Sequence, residues 1–187
     1  MKKVYNSILK DIWINNGIIM KFLNLIIIII LIFLSSCSQT EYQKRERLEN
    51  KMIGKTWRQL EKEKNLIPVG EGGSITPGKE FLELIFHYFQ PLTIDEARKL
   101  VVYAAETFLD NLNSVEQLIE LLGKPYPKDW IEIRIHISNP DYSKIQPPDI
   151  CVVELRRHKI NYYIKDNTFE VIKEESLDEA LDKLKNN

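Results

Sequence analysis

The sequence predicts an α+β domain, an antiparallel sheet of about four strands with one long helix packed across a face, and three stretches predict it. Residues 131–138, IEIRIHIS, alternate apolar and polar side chains without a fault, the period of a half-buried strand with four isoleucines inward. Residues 93–112 open on a T-x-x-E capping box, Thr93 with Glu96, and then repeat apolar residues at helical spacing from Ile94 through Ala97, Leu100, Val101, Ala104 and Phe108 to Leu112. Residues 81–90, FLELIFHYFQ, are aromatic and branched enough for a buried strand that Pro91 ends. A sheet face and one helical stripe hide each other's apolar surface, which is the two-layer solution for such a pattern.

The chain begins with 19 residues, MKKVYNSILKDIWINNGII, whose Asp11 and Trp13 do not suit a short basic leader, so residues 1–19 are expected to be an upstream extension with translation starting at Met20. A start at Met1 would only lengthen the basic end of the leader. Residues 20–36 carry Lys21, a thirteen-residue apolar block at 22–34 and the small pair Ser35-Ser36. Crossing a bilayer takes about 20 apolar residues, so this block is short for a span. Charge, apolar run and small residues in that order describe a secretory signal. A tilted span over residues 18–34, giving a single-pass membrane protein, is the alternative.

Leu34-Ser35-Ser36-Cys37 resembles the lipobox of bacterial lipoproteins. The resemblance implies cleavage before Cys37, a diacylglycerol on its sulfur and a further acyl chain on the new amino terminus. Two or more chains hold a protein stably on a membrane, where one does so marginally. By the same resemblance, Ser38 in place of an aspartate points to the outer rather than the inner membrane.

Residues 38–187 hold 22 basic and 26 acidic side chains, a balance that argues against a nucleic-acid footprint. With Cys37 lipidated, Cys151 has no partner for a disulfide within the chain. Residues 37–67 are expected to be a lipid-anchored charged helical arm: Leu48, Met52, Ile53, Trp57 and Leu60 draw one narrow apolar stripe, and residues 41–65 carry eight basic against five acidic side chains. Such an arm either docks its stripe on the domain behind it or lies on anionic headgroups. Residues 68–79, PVGEGGSITPGK, are expected to be a Gly/Pro-rich hinge before a domain at 80–187. Gly73 to Lys79 satisfies G-x-x-x-x-G-K, but a phosphate-binding loop also needs a Ser or Thr after the lysine and a helix to receive the phosphates. Glu80 comes next instead, and then a strand, so no nucleotide is expected.

After the long helix, residues 115–122 predict a short one, capped by Asn113 or Ser114 and stopped by Gly123. Strands at 131–138, 150–156 and 160–165, a short extended piece at 168–172, and a helix at 177–184 capped by Ser176 with Glu179 complete the domain.

If the isoleucines of 131–138 face the helix, Glu132, Arg134 and His136 face away, and alternation puts Glu83, His87, Glu154, Arg156 and His158 on the same outer surface. Histidines among carboxylates suit a metal or acid–base chemistry. Equally, antiparallel sheets leave one side in water, where opposite charges pair across strands. No H-E-x-x-H, no G-x-S-x-G and no activating neighbour for Cys151 accompanies them, so neither a metal, a cofactor nor a catalytic residue is expected.

Glu96-Ala97-Arg98, Asn113-Ser114-Val115-Glu116, Tyr126-Pro127-Lys128 leading into residues 131–135, and Lys173-Glu174-Glu175-Ser176 resemble a group of small uncharacterised lipoproteins of chlamydia-related bacteria. The resemblance implies an envelope location and Cys37 as the lipid site, and it brings no activity. The expected function is a lipid-anchored cell-envelope protein that binds a protein or envelope partner through its sheet face or its arm. The alternative is an envelope-located hydrolase or metal-dependent enzyme on the polar sheet face.

Overall fold

The computed structural model describes residues 40–74, 76 and 78–186. The extension at 1–19, the signal peptide at 20–36 and Cys37 lie outside the described residues, as do Ile75 and Pro77 of the expected hinge. Among the described residues are four α-helices, α1 (Glu41–Lys64), α2 (Ile94–Asn113), α3 (Glu116–Leu122) and α4 (Leu177–Lys185), and six strands. The strands are β1 (Ile67–Ser74), β2 (Phe81–Tyr88), β3 (Ile131–Ile137), β4 (Val152–Arg156), β5 (Lys159–Lys165) and β6 (Phe169–Ser176), in one sheet of order β1-β2-β3-β4-β5-β6. None of these helices is long and apolar enough to cross a membrane.

The α+β class stands, while the expected four antiparallel strands become six in a mixed sheet. β2 and β3 pair in parallel, from Leu82 opposite Ile131 to Tyr88 opposite Ile137, and every other pair is antiparallel. The cause is the connection: α2 and α3 lie between β2 and β3 and carry the chain back to the end where β2 began, which parallel neighbours require.

The additional strands come from segments with weak strand signals. Residues 67–74, the last residue of the expected arm and the first seven of the hinge expected at 68–79, form the edge strand β1 against β2. Its glycines permit a close approach: a Cβ on Gly73 would stand 3.1 Å from both Leu82 Cδ2 and the Phe81 carbonyl oxygen, and one on Gly72 would stand 3.0 Å from Glu83 Oε2. The last part of G-x-x-x-x-G-K accordingly leads into a strand, with no helix after Lys79 to receive a phosphate. β6 is longer than the short piece expected at 168–172 and forms the opposite edge, leaving Phe169, Val171 and Ile172 exposed.

Local signals with a mechanism are realised closely. Thr93 Oγ1 accepts the Glu96 amide at 3.3 Å while the Thr93 amide donates to Glu96 Oε2 at 2.9 Å, and Ser176 with Glu179 repeats this at the start of α4. Gly123 stops α3 at φ 67°. The cap of α3 differs from expectation. It starts at Glu116 without a side-chain cap, because Ser114 terminates α2 through its hydroxyl to the Asn111 carbonyl and Asn113 Oδ1 accepts the Tyr126 amide.

The helices pack on one side of the sheet, where Leu84, Phe86, Ile133, Ile135, Val153, Leu155, Ile160 and Tyr162 form one buried core with Val101, Ala104 and Phe108 of α2, which lies against β3 and β4. From Lys44 onward α1 belongs to this compact unit. Met52, Ile53, Thr56 and Leu60 are buried, Asn111 of α2 donates to Thr56 Oγ1 and Gln59 Oε1, and Glu49 accepts the Tyr126 hydroxyl at 2.8 Å. The expected arm is thus part of the fold for most of its length.

Candidate functional site

The sheet face away from the helices carries the polar residues that alternation assigned to it. Register sets Glu83 beside Glu132, Ile85 beside Arg134 and His87 beside His136 across β2 and β3, then Arg134 beside Glu154 across β3 and β4. Arg134 is the centre. Its Nη2 lies 2.9 Å from Glu83 Oε1 and 2.7 Å from Glu154 Oε1, its Nε also donates to Glu154 Oε1 at 3.0 Å, and the Tyr163 hydroxyl of β5 donates to Glu154 Oε2 at 3.0 Å. One cation therefore ties two carboxylates on the neighbouring strands. Burial works against the Arg134 charge, yet the hydrogen bond to Glu154 and the fields of Glu83 and Glu154 raise its pKa on balance.

The two histidines stack rather than converge on a ligand set. His87 and His136 meet edge to face at 5.5 Å, and the aromatic run continues through Phe89 to Tyr142, which is exposed. Burial lowers His136, with His87 and Arg134 adding to it, so its neutral form is favoured near pH 7. Among the described residues no three His, Cys, Asp or Glu side chains are grouped to hold a metal ion. A shallow depression of about 250 Å³ lies between Arg134, His136, Val152, Glu154, Tyr163 and Phe169.

His158, assigned by alternation to this face, is elsewhere. β4 and β5 are joined by the two residues Arg157 and His158, both left-handed at φ 47° and 67°, the backbone that a two-residue hairpin turn demands. That reversal takes His158 off the strand pattern and sets its ring between Asp129, 3.2 Å from Nδ1, and Asp178, 3.0 Å from Nε2. The hydrogen bond to His158 lowers the Asp178 pKa.

Glu132 is the outer-face residue whose setting differs most from a solvated charge. It is buried, its nearest cation is Arg156 Nε at 3.6 Å, and burial pushes its carboxyl up, with Arg156 pulling the other way. It lines a cleft of about 930 Å³ at the end of the sheet, with Lys79, Glu80, Asp129, Arg157 and His158 around it. Cys151 precedes β4, buried and unpaired among the described residues, and burial raises its thiol, the reverse of what a nucleophile needs.

Sequence reasoning missed Tyr163 and Phe169, which complete the depression, although alternation from Tyr162, buried opposite Val153, already sends Tyr163 to the face that holds Glu154. It also missed Asp129 and Trp130, which sit in a single 3₁₀ turn where no period exists to read. No family model, no curated protein and no solved structure matches the chain.

Proposed function

We propose that this chain is a lipid-anchored protein of the bacterial cell envelope, acylated at Cys37 and held at the outer membrane, whose domain is a non-catalytic module binding a protein or another envelope component through the open sheet face. The proposal keeps the likeness to small uncharacterised lipoproteins of chlamydia-related bacteria and brings no activity from it. The observation that supports a binding module is the Glu83–Arg134–Glu154 ladder: its carboxylates are already engaged by one arginine and a tyrosine hydroxyl, exposed Phe169 lines the depression beside it, and exposed Tyr142 ends the aromatic run that starts at His136 on the same face. Polar groups satisfied within the surface leave its aromatic edges to a partner, and aromatic residues are enriched in interfaces.

Two measurements test the two parts. Cys37→Ala is expected to abolish palmitate labelling and to leave an unprocessed precursor; label retained on the variant refutes the lipid anchor. A photo-reactive residue at Tyr163 is expected to cross-link one discrete partner in intact cells, and the same probe at Glu106 on the helical side is expected to give none. Equal patterns from the two positions refute the face.

A second reading, an envelope hydrolase, has one observation in its favour: a buried carboxyl with a raised pKa, Glu132, lines a cleft, the setting in which a general acid is found. Hydrolysis of any ester or glycoside panel that disappears in Glu132→Gln would replace the binding reading by this one.

A further inference from the structure

The side of α1 that faces the domain is occupied by Met52, Ile53, Thr56 and Leu60. Its opposite side is chemically uniform. Lys44, Arg47, Lys51, Lys55, Arg58 and Lys62 succeed one another at intervals of three, four, four, three and four residues, and all six are exposed. At about 3.6 residues per turn they fall within an arc of about 80° and run along about 27 Å of helix. None of the helix's five glutamates falls inside that arc. Among the described residues none of the six cations forms an ion pair.

Folding alone gives no reason for this arrangement. Like charges three and four residues apart on a helix destabilise it, and residues 38–187 are acidic in balance, so carboxylates to intersperse were not scarce. A straight row of cations held rigidly on a packed helix is complementary to an extended anionic surface. Position in the chain favours a bilayer as that surface: Lys44 follows Cys37 by seven residues, which reach at most about 25 Å when extended.

We infer that the cationic row of α1 seats the domain on an anionic membrane surface, with Lys44, Arg47, Lys51, Lys55, Arg58 and Lys62 against lipid phosphates. The inference rests on the membrane anchor proposed above for its proximity to the bilayer. Because α1 belongs to the helical layer, a bilayer beneath it leaves the polar sheet face open to a partner. Each cation brought to such a surface strengthens attachment roughly five-fold, and the effect fades beyond a Debye length as salt rises.

The test uses the full chain reconstituted in vesicles of phosphatidylcholine alone, or of three parts phosphatidylcholine to one part phosphatidylglycerol, and a membrane-impermeant amine-acylating reagent read by mass spectrometry. Relative to Lys159 and Lys185, which lie outside α1, Lys44, Lys51, Lys55 and Lys62 are expected to react at least about five-fold more slowly on the anionic vesicles at about 50 mM salt and to regain reactivity at about 500 mM. In the triple variant Lys51→Glu, Lys55→Glu, Arg58→Glu the protection of Lys44 and Lys62 is expected to vanish. These positions are exposed, so an unchanged melting temperature accompanies the loss.

Equal reactivity on the two lipid compositions overturns the inference. So does protection by a soluble polyanion such as heparin without protection by the anionic vesicles, which would assign the row to a soluble acidic partner or a nucleic acid. The anchor is read separately from the intact mass: protected lysines on a chain without acyl groups would remove the lipid anchor and leave the membrane seat standing.

Discussion

Glu175 and Glu132 are buried to the same extent, each 4 % exposed, on opposite faces of one sheet, and their carboxyls are driven in opposite directions. Glu175 of β6 faces the helices. It accepts Arg98 Nε at 2.7 Å, the Tyr162 hydroxyl at 2.5 Å and Lys183 Nζ at 2.6 Å, and Asp95 takes a second nitrogen of Arg98. Burial alone pushes the carboxyl up, but these three donors outweigh it and hold it down to about 2. Glu132 of β3 faces outward and, among the described residues, has no hydrogen-bond donor and only Arg156 as an ion-pair partner, at 3.6 Å, so burial prevails and its carboxyl rises. Loss of water raises the energy of both anions. The number of donors supplied in exchange decides which one is stable.

The largest expected effect removes that supply on the inner face. Glu175→Ala leaves Arg98, 3 % exposed, without its buried carboxylate, and is expected to cost about 3–5 kcal/mol in urea denaturation at pH 7. A cost below about 1 kcal/mol would break the contrast.

The pH dependence of the unaltered chain sharpens it next. Because the folded carboxyl of Glu175 lies at about 2 against an ordinary 4.5, the stability it contributes is complete above pH 4.5 and is lost as pH falls toward 2, roughly 3 kcal/mol in all. Denaturation curves across that window are expected to slope for the natural chain and to flatten in Glu175→Gln. The same slope in both would assign the acid sensitivity to other carboxylates.

Glu132 is expected to give a smaller effect of the opposite sign. A folded pKa above the unfolded one means stability falls as pH rises from the unfolded value to the folded one. Glu132→Gln is therefore expected to gain about 1 kcal/mol or less at pH 7, with the gain disappearing in acid, since half-exposed Arg156 loses little by the change. Destabilisation at pH 7 would show that Glu132 has a donor the contrast denies it.

Much of the polar face was legible beforehand. Strict alternation in 131–138 put Glu132, Arg134 and His136 outward, and the register then made Arg134 and Glu154 neighbours. Alternation says which way a side chain points, however, and not how many donors it meets. Nothing near Glu132 in the sequence distinguishes it from Arg134, which is well paired. His158 was misassigned because a two-residue turn interrupts the period. Pro68, Gly70, Gly72 and Gly73 carry no strand propensity and so predict a hinge, yet a strand forms there through the neighbour, β2, that a glycine backbone can approach closely.

The sequence by itself determined the capped helices, the alternating strand and the spacing of the cations along α1, because each depends on residues within four positions of one another. Only the tertiary structure decided that β2 and β3 run parallel, that the apolar stripe of α1 is covered and its cationic row is not, and that Glu175 meets Arg98 from 77 positions away. Those outcomes turn on which surfaces exclude water together, and burial is shared between segments far apart in the chain.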